Sequence, residues 1–136
     1  MAARTKARKR AVDVLYEADV RNRDRKALLA ERVADGNPPI PEHAIRLVEG
    51  VEEHAGRIDA LIEAHAANWS LDRLPDVDRA ILRMAVYELL WADDVPDAVV
   101  IDEAVELAKT LSTDDSPAYV NGVLGAILQA EIPSSS

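Results

Sequence analysis

The sequence predicts an all-α fold. Apolar residues recur with a 3.6-residue period, strict apolar–polar alternation is absent, and alanine is abundant where phenylalanine is missing. At 136 residues one domain is expected, with a core large enough to need neither disulfide nor metal.

The elements follow in order. A first helix is expected over about Lys6–Arg21, with Ala7, Ala11, Val14, Leu15 and Ala18 as its buried stripe. A second covers about Arg25–Ala34, with Leu28, Leu29 and Val33 inward. Gly36 and three prolines between Asp35 and Pro41 break the pattern. A third helix opens near Pro41, a residue tolerated in a first turn, and turns Ile45, Val48, Val51 and Ala55 inward. Gly56 marks a kink before a fourth, which carries Ile58, Leu61, Ile62 and Ala66. Asn68–Pro75 is a connector whose Trp69 is expected to pack. A fifth helix spans about Asp76–Ala92, its core stripe Val77, Ile81, Met84, Ala85 and Leu89. A sixth runs over about Val99–Leu111. A seventh begins after Ser116 and carries Val120, Val123, Leu124, Ile127 and Leu128. The expected architecture is about seven helices in two small antiparallel bundles, residues 1–55 and 56–131, with 132–136 a frayed tail.

Charge is unevenly spread. The chain has 16 basic and 25 acidic residues, a net charge of −9. Arg4, Lys6, Arg8, Lys9 and Arg10 all lie in the first ten residues, which hold no acid. The remaining 126 residues therefore carry 11 bases against 25 acids. Such polarity directs a short anionic ligand to one end and repels it elsewhere. On a helical wheel Lys6, Lys9 and Arg10 oppose the apolar stripe, while Arg4 and Arg8 overhang its N-terminal end. If all five met phosphates of a single strand, log K against log salt would have a slope of roughly −3.5. The plain alternative is a solvated arm.

Other function classes find no support. The chain has no cysteine and no run of 18 apolar residues, so a membrane span is not expected. The basic N-terminus lacks the apolar segment of a signal peptide, which points to the cytoplasm. His43, His54 and His65 recur every 11 residues, about 16 Å apart on a helix, too far for one metal. No nucleophile elbow, phosphate loop or dinucleotide fingerprint occurs. No enzyme and no cofactor are expected.

Three further groups of residues stand out. Tyr16 and Val20 sit away from the stripe of the first helix, as a contact surface would. Asp76, Arg79, Arg83 and Tyr87 share one face of the fifth helix, with Asp78 and Glu88 near it. A solvated face of ion pairs explains these equally well. The third is DDSPAYVNGVL, Asp114–Leu124. Ser116 can cap a helix, Pro117 suits its first position, and acids suit its positive end. None of that explains Tyr119 in the first turn, or Asn121-Gly122 after it. An exposed aromatic there can stack a nucleobase, with a carboxylate beside it accepting from the base edge. Gly122 and Gly125 are expected to allow close helix packing.

Together these residues resemble the NusB family of bacterial transcription antitermination factors, in texture its actinobacterial members. The specific pieces are DRAILRMAVYEL…DVP…IDEAVELAK and DSPAYVNGVL; residues 21–53 match in pattern only. The resemblance implies a fold of two helical bundles without catalysis. It implies binding of boxA, a single-stranded RNA element of nascent ribosomal transcripts, together with the ribosomal protein NusE, and through that complex an indirect link to RNA polymerase. Carried over residue by residue, RNA contacts fall on Arg4, Lys6, Arg8, Lys9, Arg10, Asp115, Ser116, Tyr119, Asn121 and Gly122. Partner contacts fall on Tyr16, Val20, Asp78, Arg79, Arg83, Tyr87 and Glu88. Lysines replace part of the family's arginine-rich segment; lysine cannot bind phosphate bidentately. Rival readings are a protein-only helical module, and a related RNA-binding domain of an rRNA methyltransferase, which would need further sequence after Ser136. The sequence leaves a homodimer open.

Overall fold

The computed structural model describes residues 3–66 and 69–131. The proposed tail at 132–136, and Asn68 of the connector, lie outside them. Among the described residues there are seven α-helices and no strand: α1 (Ala3–Val20), α2 (Arg25–Asp35), α3 (Glu42–Glu53), α4 (Ala55–His65), α5 (Asp76–Trp91), α6 (Asp97–Leu111) and α7 (Ser116–Glu131). A single 3-10 turn, Leu71–Arg73, lies before α5. None of these helices is long and apolar enough to cross a membrane.

Local chemistry sets the boundaries. Asp24 caps α2, its carboxylate accepting from the Ala27 amide at 2.9 Å. Gly36 ends that helix in the left-handed region at φ 64°, where a side chain would be strained. α3, α5 and α6 each begin directly after a proline, Pro41, Pro75 and Pro96. The break between α3 and α4 falls at His54, not at Gly56, which has open space around it.

α5 is the axis of the molecule. α1 and α3 pack on it from one side and α4, α6 and α7 from the other. α2 closes the first group against α1 and α3, while α4 and α6 pack on α7 in the second. Ile81, Leu82, Met84, Ala85 and Val86 of α5 are almost wholly inaccessible, as are Leu15, Leu47, Ile58, Ile62, Leu124 and Ile127 around them. The core stripes expected for α1, α4 and α7 are buried, except that Leu128 of α7 is only partly covered. Val33 and Trp69 are not. Val33 is 44% and Trp69 46% exposed, because no helix covers the far side of α2 or the connector.

Wrapping from both sides changes the character of α5. Its polar face was expected outside; instead Asp78, Arg79, Arg83 and Glu88 are all buried. Burying such groups requires internal partners, and each has them. Arg79 spans α5, α1 and the connector. Its Nε donates to Asp19 at 2.8 Å, its Nη1 to the Leu71 and Leu74 carbonyls at 3.0 Å each, and its Nη2 to Asp76 at 2.5 Å. Arg83 donates to both oxygens of Asp59 on α4, at 2.9 and 3.2 Å. These arginines fasten the two groups of helices to their shared axis.

One close approach requires glycine. A Cβ on Gly50 of α3 would stand 2.2 Å from the Tyr87 ring. Tyr87 thereby lies against α3, stacked toward His54 and Trp91; the His54 and Trp91 rings are 4.0 Å apart and 9° from parallel. By contrast a Cβ at Gly122 or Gly125 meets nothing within 4 Å, so close packing of α7 does not account for either.

Candidate RNA-binding surface

The N-terminal cations do not form one patch of five. Lys6 and Lys9 are exposed, and no ion pair engages them or Arg10 among the described residues. Arg4 reaches across to Asp94 at 2.8 Å, and this hydrogen bond holds the Asp94 carboxyl below its usual range. Arg8 is only 3% exposed. Its Nε and Nη2 grip the two oxygens of Glu88 at 2.7 and 2.9 Å, and its Nη1 donates to Glu103 at 2.9 Å. Burial pushes the guanidinium toward losing its proton, but the Glu88 hydrogen bond and charge outweigh it and its pKa is raised. Arg8 is therefore a structural cation joining α1, α5 and α6, and it offers nothing to a phosphate in this conformation. The reason is its place over the end of the apolar stripe, where a long side chain must bury its stem.

His43 of α3 completes this cluster. Its Nδ1 accepts from Arg46 at 3.4 Å, which leaves Nε2 as the protonated nitrogen of the neutral ring. Nε2 is buried without a hydrogen-bond partner, 3.7 Å from Glu88. Burial holds the imidazole below its ordinary 6.5; the Glu88 charge opposes this, and Arg4, Arg8 and Arg46 add to it. A histidine depressed in the fold binds its proton more readily when unfolded. Its contribution is complete above about pH 6.5 and is lost as pH falls below that value. Thermal unfolding at pH 7.5 and 5.5 should show a fall in stability for the wild type. The fall should be clearly smaller for His43→Gln, with one proton worth at most about 1.4 kcal/mol per pH unit. The lowered carboxyls of Glu17 and Asp94 act only at lower pH, through their ordinary range near 4.

The second half of the surface lies at the other end of α5. Ten residues separate Asp78 from Glu88, about 15 Å of helix. Asp78, in the first turn of α5, accepts from Ser112 Oγ at 2.5 Å and Ser116 Oγ at 2.8 Å. Ser116 is thus buried and anchored to α5, with no side-chain bond to the first turn of α7 as a cap. Thr113 stands 2.9 Å from Ser116 and steadies the same turn. This places the Asp115 carboxylate outside, with Asn121 and Gly122 exposed on α7. Tyr119 is half-buried. Its hydroxyl is inaccessible and unpartnered, and burial first, then the charge of Asp78, pushes it above its usual value. Between Trp69, Pro75, Asp78, Thr113, Asp115, Ser116 and Tyr119 lies a cavity of about 360 Å³.

The structure thus brings Asp115, Ser116 and Tyr119 to one cavity and keeps the basic end of α1 apart from it. Of the residues assigned to a partner face, Tyr16 is 38% and Val20 50% exposed, and Tyr87 is half-buried. Asp78, Arg79, Arg83 and Glu88 are removed from that face by their internal ion pairs and hydrogen bonds. Reading the sequence alone missed Trp69 as a wall of the cavity and Glu103 and His43 as members of the Arg8 cluster. Trp69 had one usable signal, a large aromatic set in a polar connector with no helical register to bury it. Among the described residues no group of His, Asp and Glu could hold a metal.

Fold and site define a class: an all-helical protein with exposed cations at one end of α1 and, apart from them, an aromatic pocket rimmed with acid. The family is more specific than that. Residues 5–129 match the NusB family. A transcription antitermination protein NusB of Saccharopolyspora erythraea is 62% identical over 129 residues, covering 93% of this chain and 87% of that protein. The solved NusB of T. maritima superposes with a TM-score of 0.83 at 36% identity, covering 94% of this chain and 92% of that one. A structure of antitermination factors NusB and NusE in complex with double-stranded RNA matches with a TM-score of 0.82 at 35% identity, over 93% of this chain and 96% of that one. The chain belongs to the NusB family, whose members are antitermination factors and not enzymes.

Proposed function

We propose that this protein is a transcription antitermination factor that acts in the cytoplasm. With NusE it binds boxA RNA in nascent ribosomal transcripts, and the complex helps RNA polymerase to elongate processively. The observation that carries this reading is family membership at high identity, together with a fold neighbour solved with both NusE and RNA. The geometry supports it. In this reading Arg4, Lys6, Lys9 and Arg10 meet the RNA backbone, and Asp115, Tyr119, Asn121 and Gly122 meet bases. Arg8 and Ser116 hold these two regions in place from beneath. Tyr16 and Val20, with the edge of Tyr87, are the surface offered to NusE.

Fluorescence anisotropy tests this with a labelled boxA-like single strand and a scrambled control, with and without NusE, at several salt concentrations. Selective binding that tightens with NusE is the expected result. Equal weak binding to both strands, unchanged by NusE, would instead leave a protein-only helical module. Because Arg8 is internal, four phosphate contacts remain, and the slope of log K against log salt should be near −2.8. The double variant Lys6→Gln, Lys9→Gln should lower its magnitude by about 1.4 while keeping the preference for boxA.

A further inference from the structure

The cavity beside the α7 turn has two aromatic walls, and family membership speaks to neither Trp69 nor the base it would take. The geometry points to a slot for one unpaired nucleobase held between Trp69 and Tyr119, selective for guanine over uracil. This rests on the RNA reading above and deepens it.

Four observations converge. Trp69 is the most exposed aromatic of the chain among the described residues, yet it lines a cavity with Tyr119. A volume of about 360 Å³ admits a planar base. An exposed Trp beside a concave site is costly to leave in water, and a base face is the surface that both aromatics accept regardless of sequence. Second, the hydrogen-bonding groups are of one kind. Asp78 already accepts from two serine hydroxyls. The exposed Asp115 carboxylate accepts no side-chain hydrogen bond among the described residues. A carboxylate receives two parallel N–H donors, and the guanine Watson–Crick edge presents them at N1 and N2. Uracil offers one donor between two carbonyls, which the same carboxylate repels.

Third, the Tyr119 hydroxyl is an orphan inside the protein. Buried hydroxyls are ordinarily paired; this one is inaccessible, so what Tyr119 offers a base is its ring face and not its hydroxyl. Fourth, the carboxylates repel phosphate, so the backbone must stay outside while the base enters. That arrangement suits a splayed single-strand base and not a stacked duplex.

The experiment compares wild type, Trp69→Ala, Trp69→Phe and Asp115→Asn, each with NusE. The probes are a labelled single-stranded boxA-like RNA containing guanine and the same strand with every guanine replaced by uracil. Trp69→Ala should weaken binding to the guanine strand about tenfold, the worth of one stacked base. Its salt slope and melting temperature should stay at the wild-type values, because the side chain is exposed and meets no phosphate. Trp69→Phe should recover most of the affinity. Asp115→Asn should narrow the preference for guanine over uracil. Wild-type binding that Trp69→Ala leaves unchanged would overturn the slot alone. Absence of wild-type binding to either strand would overturn the RNA reading and the slot with it.

Discussion

Arg8→Ala should cost about 3–5 kcal/mol of stability, because it leaves the Glu88 carboxylate buried and without its main partner. Glu88 is 1% exposed and accepts two of the guanidinium's hydrogen bonds. Among the described residues the other titratable group beside it is the depressed His43, 3.7 Å away. For a chain of this length the loss corresponds to a fall of roughly 10–20 °C in melting temperature. Arg8→Met combined with Glu88→Leu should recover much of it, since a packed apolar pair carries no desolvation penalty. Measured where the single variant is still folded, RNA binding should keep the wild-type salt slope. A variant that stays within 1 kcal/mol of wild type while its slope drops by about 0.7 would return Arg8 to the RNA backbone.

The legible part of the fold was its periodic part. In α1, α4, α5 and α7 every expected core residue is buried or packed against the core, because a 3.6-residue stripe has one way to meet its neighbours. What a single helical wheel cannot show is how many neighbours arrive. α5 is covered from both sides, so its charged residues look like a solvated face in sequence and are internal ties in the fold. The partners that make this tolerable are remote: Arg83 meets Asp59, Arg79 meets Asp19, and Arg8 meets Glu88 eighty residues away. Helical geometry alone placed Arg8 over the core edge; carrying over a family's basic segment as one block put it on the surface. The α7 turn was recognisable by what capping failed to explain, Tyr119 above all. Its other wall was not, because Trp69 is joined to it only through the cavity.

Asp78→Ala should destabilise the protein by about 3 kcal/mol and abolish the preference for boxA over a scrambled strand. The carboxylate takes two hydrogen bonds from hydroxyls, and bonds to a charged group are worth roughly 1.5–3 kcal/mol each. It also lies in the first turn of α5, where the helix dipole favours a negative charge. Without it Ser112 and Ser116 lose their acceptor, and the turn that sets Asp115 and Tyr119 loses its attachment to the axis of the molecule. Base reading should fail while the lysines of α1 still hold the backbone, so residual binding should keep its salt slope. Binding to NusE should persist, since Tyr16 and Val20 lie on α1 and Tyr87 stands nine residues further along α5. Tyr119→Ala is the informative comparison. It removes the stacking face but leaves the Asp78–Ser116 anchor, so it should lose selectivity at far smaller cost in melting temperature. The opposite pattern for Asp78→Ala, intact selectivity with NusE binding lost, would place Asp78 on the partner face after all.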